Sequence, residues 1–361
     1  MRVLHVSTDM ARNPQTVAGN TACTRRLLEA LSRKVQLTVW TTRHAVRPGT
    51  LQAALRKAFF LACVFFRPLH KYDVVIALTP YAMAAMIWPC KFWRKPLVYD
   101  IDDNILPDLE RFPLLPRIEL INRRRATAIR AISQRLVDYL KNSGIKTPVF
   151  YLPHGIDPKE MVNTRVTRSP ELKECLLLGY AGGGQAYQGV ENLIEMMRLL
   201  RKTASHIMLL LIGVDPGSPA HRPIRERLAQ AAEAHITVYP RQSPAEALRL
   251  LAMCDVLVLP RPNVPIAVTA APTKFVEYCA LGKPILVTNV GDAAEWVRRY
   301  QCGIVVVDNQ PTNLQAGLME LLSGDMSAMG RRAYRLATTE FSIDKITDEY
   351  IRKLEQLVVA K

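Results

Sequence analysis

Several features are missing from this chain of 361 residues, and each absence excludes a class of protein. The seven cysteines are scattered and form no Cys-x-x-Cys pair, so we expect neither a metal site nor a disulfide framework. No apolar run reaches the roughly 20 residues that a membrane-spanning helix needs. The first seven residues, MRVLHVS, favour a strand over a signal peptide. These absences predict a cytoplasmic protein, with peripheral binding to the inner face of a membrane left open.

Acidic residues are few beside the basic ones. Lysine and arginine number 48 against 32 aspartates and glutamates, which leaves a net charge of +16. A surplus of this size indicates an anionic partner, which is a nucleic acid, an acidic lipid surface or a phosphorylated substrate. No zinc-finger spacing or aromatic RNA-binding signature accompanies the charge, so a nucleic-acid partner is not expected.

Basic residues of the first half cluster beside aromatic ones, a mixture that suits the headgroup layer of a membrane. The first cluster comprises Arg56, Lys57, Phe59, Phe60, Phe65, Phe66 and Arg67, the second Trp88, Lys91, Phe92, Trp93, Arg94 and Lys95, and the third, which is basic only, Arg117, Arg123, Arg124, Arg125 and Arg130. We therefore hypothesise that the first half docks on an anionic membrane surface. The alternative is that the phenylalanines belong to the core and the charges only keep the protein in solution.

Strands and helices are predicted to alternate along the whole chain, which is typical of parallel sheets with helices on both faces. Six strands are predicted before residue 162 and six after residue 173, and the polar stretch 163–170 between them is typical of a linker. The length of the chain suits two α/β domains. The predicted domains are residues 1–162 and 173–338, followed by a terminal segment, 339–361, that contains an amphipathic helix.

The most informative stretch of the sequence is residues 272–288. It predicts a short helix that begins at Thr273, carries Lys274 and Glu277, and is stopped by Gly282. The aliphatic run that follows predicts a buried parallel strand. The helix therefore starts at the carboxyl end of a sheet, where open α/β folds bind ligands. The alternative is an ordinary helix–strand unit in which Glu277 is only a solvated side chain.

A glycine loop in the second half follows another predicted strand. Residues 182–184 are all glycine and precede a predicted helix. Backbone N–H groups in such a loop favour phosphate, as does the amino end of the helix. Gln188 closes the loop without a charge, and charge-assisted hydrogen bonds are roughly twice as strong as neutral ones. A lysine at position 188 is therefore expected to tighten phosphate binding.

Polar residues and turns also follow predicted strands in the first half. Gly19 lies in the turn after the first strand, where a glycine permits close backbone approach. Asp102 and Asp103 follow a later strand and are predicted to orient substrate hydroxyls, with capping of a helix as the alternative. The turn Pro153–Asp157 closes the last strand of this half and is interpreted as structural.

Together these stretches resemble the retaining GT-B glycosyltransferases of the family-4-like group along nearly the whole chain. The resemblance implies two facing Rossmann-like, doubly wound α/β domains and a C-terminal helix that crosses back to the first domain. The first domain would bind the acceptor and the second the nucleotide-sugar donor. The implied reaction moves a sugar from a nucleotide diphosphate sugar to the hydroxyl of a glycan or lipid-linked acceptor, with retention and without a metal or cofactor.

The resemblance also assigns site residues. The implied donor-binding residues are Gly19, Gly183, Gly184, Gln188, Arg261, Thr273, Lys274 and Glu277, and the implied catalytic residues are Asp102, Asp103 and Glu277. The family often has two glutamates eight positions apart. Glu277 corresponds to the second, which would accept hydrogen bonds from the ribose hydroxyls. Thr269 stands at the position of the first and would contact the donor sugar only weakly.

Besides Thr269, four positions depart from the pattern of the family. Relatives commonly have an arginine near Gly184 and a lysine at position 188, and Arg261 and Lys274 are the candidate replacements for those charges. Many relatives have histidine where this chain has Asp102, and asparagine where it has His154.

Two other classes of protein stay open, and one further motif is set aside. The triplet Asp100–Asp102 evokes the metal-binding Asp-x-Asp of the other large glycosyltransferase fold, which two parallel-sheet halves argue against. A nucleotide-sugar 2-epimerase of the GT-B fold would need several acids and histidines in the cleft. A binding protein that kept the fold and lost catalysis would fit the charges missing from the glycine loop.

Overall fold

The computed structural model describes most of the chain. The described residues are 1–7, 19–41, 58–59, 62–101, 115–159, 161, 168, 174–201, 203–204, 206–218, 221–231 and 234–360. The predicted site residues Asp102 and Asp103 lie outside them, as do Arg56, Lys57 and Phe60 of the first aromatic cluster. Of the predicted linker, only Arg168 is described. Its guanidinium pairs with the Asp255 carboxylate at 2.6 Å.

The described chain forms two compact units, each built on one sheet. The first unit contains Met1–Gly155, Thr269–Ala271 and Ile343–Lys361, and the second contains Ile156–Val268 and Pro272–Ser342. Both sheets have six strands, and every strand pairing in them is parallel.

The sheet of the first unit has the order β2-β1-β3-β4-β5-β6. Its strands are β1 (Arg2–Ser7), β2 (Gln36–Thr41), β3 (Val74–Ala77), β4 (Leu97–Ile101), β5 (Ala128–Ala131) and β6 (Val149–Tyr151). The named helices of this part are α1 (Gly19–Ser32), α2 (Pro80–Phe92), α3 (Leu115–Arg125) and α4 (Gln134–Asn142). β3, β4 and β5 are buried along their whole length, as expected for strands covered on both faces.

The sheet of the second unit has the order β12-β11-β10-β7-β8-β9. Its strands are β7 (Leu176–Ala181), β8 (Ile207–Ile212), β9 (Ile236–Tyr239), β10 (Val256–Leu259), β11 (Ile285–Thr288) and β12 (Gly303–Val306). The helices between them are α5 (Val190–Leu200), α6 (Arg222–Gln230), α7 (Pro244–Ala252), α8 (Pro265–Thr269), α9 (Thr273–Ala280) and α10 (Gly291–Tyr300), and α11 (Pro311–Ser323) and α12 (Met326–Thr339) follow the last strand. A 3-10 turn, Ala186–Gln188, precedes α5.

The C-terminal helix α13 (Ile343–Val359) belongs to the first unit. Its buried residues Ile343, Ile346, Tyr350 and Leu354 recur every three or four positions and share a core with β1, β3 and α1. The prediction of a terminal helix that returns to the first domain is confirmed, because residues separated from β1 by the entire second unit complete its core.

The aromatic clusters of the first unit are largely solvent-exposed. Phe59 is 73% exposed, Phe66 82%, Trp88 63% and Phe92 79%. The alternative that placed these side chains in the core is therefore wrong for them. Along α2, Trp88 and Phe92 lie one turn apart on the same face, and the Lys91 ammonium lies 5.2 Å from the centroid of the Trp88 ring.

The third cluster, predicted as a cationic surface, is partly buried, and the prediction is wrong for two of its members. Arg123 is 1% exposed and donates to Glu119 at 2.8 Å, while Glu119 also accepts from the Tyr99 hydroxyl at 2.7 Å. Arg130 is 3% exposed and pairs with Asp100 at 2.6 Å. Buried cations of this kind are retained with a carboxylate partner.

Of the helices in the described part of the chain, none has the length and apolar character needed to span a bilayer.

Candidate functional site

Helix α9 carries the central residues of the second unit. The N–H groups of Leu281 and Gly282 donate to the carbonyls of Glu277 and Cys279, and Gly282 has a φ of +64°. This is the glycine stop that the sequence predicts, since a residue without Cβ adopts the left-handed conformation most readily. The strand that follows, β11, is buried throughout, as predicted.

Lys274 and Tyr278 project from the same face of α9, because residues four apart are neighbours on a helix. The Tyr278 hydroxyl accepts a hydrogen bond from the Ala181 N–H at 2.9 Å, which attaches the helix to the end of β7. Lys274 lies one turn earlier and reaches the loop that begins there. The Tyr278 hydrogen bond therefore holds α9 against the end of β7, one turn from Lys274.

The Lys274 amino group lies among neutral partners. Its Nζ donates to Oε1 of Gln188 at 2.8 Å and to the Tyr180 hydroxyl at 3.2 Å, and lies 4.4 Å from the centroid of the Tyr180 ring. The Tyr180 hydroxyl donates in turn to the carbonyl of Gly183 at 2.9 Å. A lysine of α9 is thereby connected to both ends of the glycine loop.

Burial and the charge of Arg261 both act on the pKa of the Lys274 amino group. Lys274 and Arg261 are both buried, at 9% and 8% exposure. Burial, and then the positive charge of Arg261, hold the pKa of Lys274 well below its usual 10.5, and the carboxylate of Glu277 opposes them. Burial likewise raises the pKa of Tyr180, which Arg261 opposes. The site thus combines two basic residues in a solvent-excluded region, which favours an anionic ligand.

The glycine loop is built for close approach of backbone to its neighbours. Gly182 has a φ of +150°, and any Cβ on it would overlap with the Lys274 amino group. Its N–H donates to the Ile212 carbonyl at 2.8 Å, and the Gly184 N–H reaches Nε2 of His221 at 3.3 Å. Two of the three glycine N–H groups are therefore already bonded within the protein. The attraction of the loop for an anion must then come mainly from the basic side chains of Lys274 and Arg261.

The remaining predicted site residues of the second half lie on α9, after β10 and at the end of α8. Thr273 is the first residue of α9 and is buried, and Glu277 is half-buried in its second turn. The carbonyl of Arg261, just after β10, accepts a hydrogen bond from the Thr288 hydroxyl at 2.6 Å, which connects the β10 and β11 ends. Thr269 is buried, and its carbonyl accepts a hydrogen bond from the Ser133 hydroxyl at 2.5 Å.

Predicted residues of the first half are only partly described. Gly19 is the first residue of α1. His154 is 4% exposed, and neither its Nε2 nor Nδ1 of the buried His5 has a hydrogen-bond partner in the described structure. Burial, and then Arg130, lower the pKa of His154 to about 3 and that of His5 to about 4.

Among the described residues, no group of three or more His, Cys, Asp or Glu side chains could hold a metal ion.

Sequence reasoning missed Tyr180, Tyr278 and His221. A signal for the two tyrosines was present, because a buried tyrosine hydroxyl usually finds a hydrogen-bond partner and both residues lie in apolar segments. His221 precedes α6 and lies 37 residues from Gly184 in sequence, so the contact of its ring with the loop arises only from the tertiary structure.

Known proteins resemble this chain in sequence and in fold. Residues 167–336 match the family described as glycosyl transferases group 1, a range that includes the glycine loop, Arg261 and α9. A D-inositol 3-phosphate glycosyltransferase from Rhodococcus jostii (strain RHA1) is 26% identical over 204 residues, which are 54% of this chain and 41% of that protein. The chain therefore aligns with about two fifths of the length of this relative.

Solved structures resemble the chain along its whole length. Sucrose-phosphate synthase from Thermosynechococcus elongatus has a TM-score of 0.80 at 14% identity and covers 100% of both chains. HepE from Anabaena, in complex with UDP and glucose, has a TM-score of 0.72 at 17% identity and covers 99% of this chain and 100% of its own. With the two parallel sheets and the returning helix, these similarities confirm the GT-B fold class.

Within that fold class, residues 167–336 of the second unit are similar to the glycosyl transferases group 1.

Proposed function

We propose that this protein is a glycosyltransferase that moves a sugar from a nucleoside diphosphate sugar to an acceptor hydroxyl with retention of configuration. One observation carries the proposal. Lys274 and Arg261 are brought together, buried, at the glycine loop of a unit similar to the glycosyl transferases group 1. Two preorganised cations in a region that excludes water are suited to stabilise a departing diphosphate.

The second unit would bind the donor. Its glycine loop, with Gly183, Gly184 and Gln188, would contact the diphosphate beside Lys274. Glu277 would accept hydrogen bonds from the ribose hydroxyls, because a carboxylate has room for two such bonds and this one is half-buried on the same helix. Thr273 begins that helix and would lie next to the donor. HepE, which shares the fold, has been solved with UDP and with UDP plus glucose, and this supports a nucleotide-sugar donor.

The first unit would bind the acceptor, and Gly19, Asp102 and Asp103 are the residues of this unit that we propose take part. In this proposal the two aspartates orient hydroxyl groups, and no covalent nucleophile is nominated. Same-face attack assisted by the leaving phosphate would account for retention. The cations of the second unit would then take the electrostatic role that a metal has in other transferases.

An assay of donor turnover without acceptor tests the proposed reaction class. The chain is incubated with UDP-, GDP- and ADP-sugars, and the products are separated. Slow release of free sugar supports a transferase, whereas formation of an epimer would instead assign a nucleotide-sugar 2-epimerase. Binding of a donor with neither product would identify a binding protein that has lost catalysis.

We further propose that the acceptor is lipid-linked or membrane-embedded and that the first unit binds the cytoplasmic face of an anionic membrane. Phe59, Phe66, Trp88 and Phe92 are exposed, and Lys91 and Arg94 are exposed beside them. The ring of His70 lies 5.5 Å from that of Trp93, which joins the segment after Phe66 to the end of α2. Each cation near an anionic surface contributes about 1 kcal/mol, so a few suffice for reversible binding.

Co-sedimentation with vesicles tests this membrane role. Binding should require anionic lipid, fall with added salt, and be lost when Trp88→Ser and Phe92→Ser are combined. The matched control combines Val307→Ser and Met319→Ser, two exposed apolar residues of the second unit. Equal recovery of the protein in the supernatant with anionic and neutral vesicles would remove the membrane role and leave an acceptor in solution.

A further inference from the structure

The surroundings of Lys274 differ from those of an ordinary phosphate-binding lysine. Its two hydrogen-bond acceptors, Oε1 of Gln188 and the hydroxyl of Tyr180, are neutral, and the third contact is the face of an aromatic ring. The side chain is 9% exposed, so solvent contributes little to its stabilisation. A buried ammonium without full charge compensation is costly, and such a group shifts its pKa and becomes neutral instead.

Several elements at the glycine loop and α9 contribute titratable or charged groups near Lys274. β7 contributes Tyr180, the 3-10 turn Tyr187, the segment after β10 Arg261, and the segment before α6 His221, while α9 itself contributes Glu277 and Tyr278. Arg261 opposes a charge on Lys274 more strongly than Glu277 favours it. The balance of these groups therefore shifts the equilibrium of Lys274 toward the neutral amine.

We propose that donor binding is coupled to protonation in this protein: the amino group of Lys274, held by Tyr180 and Gln188, takes up one proton from solvent as the diphosphate of the donor binds between it and Arg261. The inference rests on the proposed donor site. Tyr180 and Gln188 are positioning residues in this account, since they act through Lys274.

The charge of the ligand gives the physical reason. A diphosphate adds at least two negative charges beside Lys274, and an opposite charge within about 4–6 Å favours the protonated amine. The direction of the pKa shift in the empty site agrees with this scheme, because burial and Arg261 hold the pKa of Lys274 well below 10.5. The lysine that relatives carry in the glycine loop is thus replaced by one on a different element, where burial and Arg261 favour the neutral amine.

The coupling fixes the sign of the pH dependence. The empty site has the lower Lys274 pKa and the occupied site the higher one. Between these two values, affinity for a nucleoside diphosphate should fall by up to about tenfold for each pH unit of increase. Below both values, the affinity should not depend on this group.

Isothermal titration calorimetry tests the proposal with UDP, GDP and ADP as probes. The tightest binder is titrated in buffers of different ionisation enthalpy, at a pH between neutrality and the usual lysine value of 10.5. The dependence of the observed heat on the buffer gives the number of protons exchanged. We expect uptake of one proton per nucleotide bound.

Two variants assign the proton to its site. Lys274→Met should abolish the uptake and weaken binding by about 10- to 100-fold, the loss expected for a charged hydrogen-bond partner. Tyr180→Phe keeps the ring but removes the hydroxyl, and should change the uptake and the pH profile together. The control is Lys283→Met, which replaces another lysine of this unit whose pKa is lowered by burial, and it should keep the full uptake.

The outcomes separate this inference from the proposed function. Binding of a nucleoside diphosphate with no proton exchange, or with uptake that persists in Lys274→Met, would overturn the inference and leave the donor site standing. If none of the three nucleotides binds, the donor site fails and the inference fails with it.

Discussion

The two units treat buried cations in opposite ways. In the first unit, Arg130 is paired with Asp100 at 2.6 Å and Arg123 with Glu119 at 2.8 Å. In the second unit, Lys274 has neutral hydrogen-bond acceptors and a second buried cation, Arg261, within electrostatic range. A cation with its own carboxylate has a structural role, whereas a buried lysine that has neutral acceptors and a second basic residue nearby is suited to an anion that arrives from outside.

The first unit extends its pairing into a network. Nε of Arg130 donates to the Leu152 carbonyl at 3.2 Å, and its guanidinium lies 5.7 Å from the centroid of the Tyr350 ring. Leu152 directly follows β6 and Tyr350 belongs to α13, so this one cation connects the sheet to the C-terminal helix. Its function is therefore to hold the unit together.

Breaking the pair in the first unit should have the largest effect. Asp100→Asn leaves Arg130 buried without its countercharge, so we expect a loss of about 3–5 kcal/mol in the free energy of unfolding. Asp73→Asn breaks the more exposed pair with Arg2 and should cost at most about 1 kcal/mol. Urea denaturation of both variants measures the difference. Equal midpoints for the two would mean that Asp100–Arg130 is not the structural pair described here.

Removing the acidic group beside Lys274 should act on binding and not on folding. Glu277→Ala is expected to weaken nucleoside diphosphate binding by about 1.5–3 kcal/mol, the typical value of a hydrogen bond to a charged group. Because Glu277 is half-buried and outside the core, the unfolding midpoint should change little. Calorimetric titration and denaturation of the same preparation measure both quantities. Unchanged affinity would remove Glu277 from the donor site.

Acid should weaken the first unit through His5 and His154. Their pKa values in the folded chain, about 4 and about 3, lie below the ordinary 6.5, so the unfolded chain binds protons that the folded chain does not. The free energy of unfolding should therefore fall as the pH drops below 6.5, by up to about 1.4 kcal/mol per pH unit for each histidine. His154→Asn should reduce this slope, while His206→Gln, at an exposed histidine, should not. An unchanged slope in His154→Asn would contradict the assignment.

A new lysine at position 188, directly beside Lys274, should have the smallest effect on stability and binding. From the sequence alone, Gln188→Lys is expected to tighten phosphate binding. The structure argues against this expectation, because Oε1 of Gln188 accepts the hydrogen bond from Lys274 and a lysine at position 188 would remove that acceptor. We expect a loss of about 0.5–1.5 kcal/mol in stability and no gain in affinity. Gln185→Lys, on an exposed residue of the same loop, is the control, and tighter binding by Gln188→Lys alone would restore the original expectation.

Much of the fold could be predicted because continuous aliphatic runs identify buried parallel strands. All twelve strands were expected close to their observed positions. Helix α12 was missed, because Gly330 lies in its middle and lowers helix propensity by about 1 kcal/mol. A Cβ at Gly330 would overlap with the Gly282 carbonyl, so the glycine lets α12 pack closely against the end of α9. Such contacts between distant segments leave no local signal.

The candidate site was predictable in part. Lys274 and Arg261 could be nominated from missing charges in the glycine loop, but the neutral partners of Lys274 could not, since they depend on side-chain placement from three elements. The cationic cluster was misjudged for the same reason. Glu119 lies four residues before Arg123, which is a recognisable helical ion pair, yet the burial of Arg130 against Asp100 follows only from the pairing of β4 with β5.

The central claim is that Lys274 and Arg261 of the second unit bind the diphosphate of a nucleotide. The most direct test measures how the affinity of the protein for a nucleotide depends on the number of phosphates that the nucleotide carries. The nucleoside diphosphate that binds tightest among UDP, GDP and ADP is titrated beside its monophosphate and its free nucleoside, in the unaltered chain and in Arg261→Gln. We predict that the affinity rises from the nucleoside to the monophosphate to the diphosphate, and that Arg261→Gln removes most of this gain. A nucleoside that binds as tightly as its diphosphate, or an unchanged series in Arg261→Gln, would contradict it.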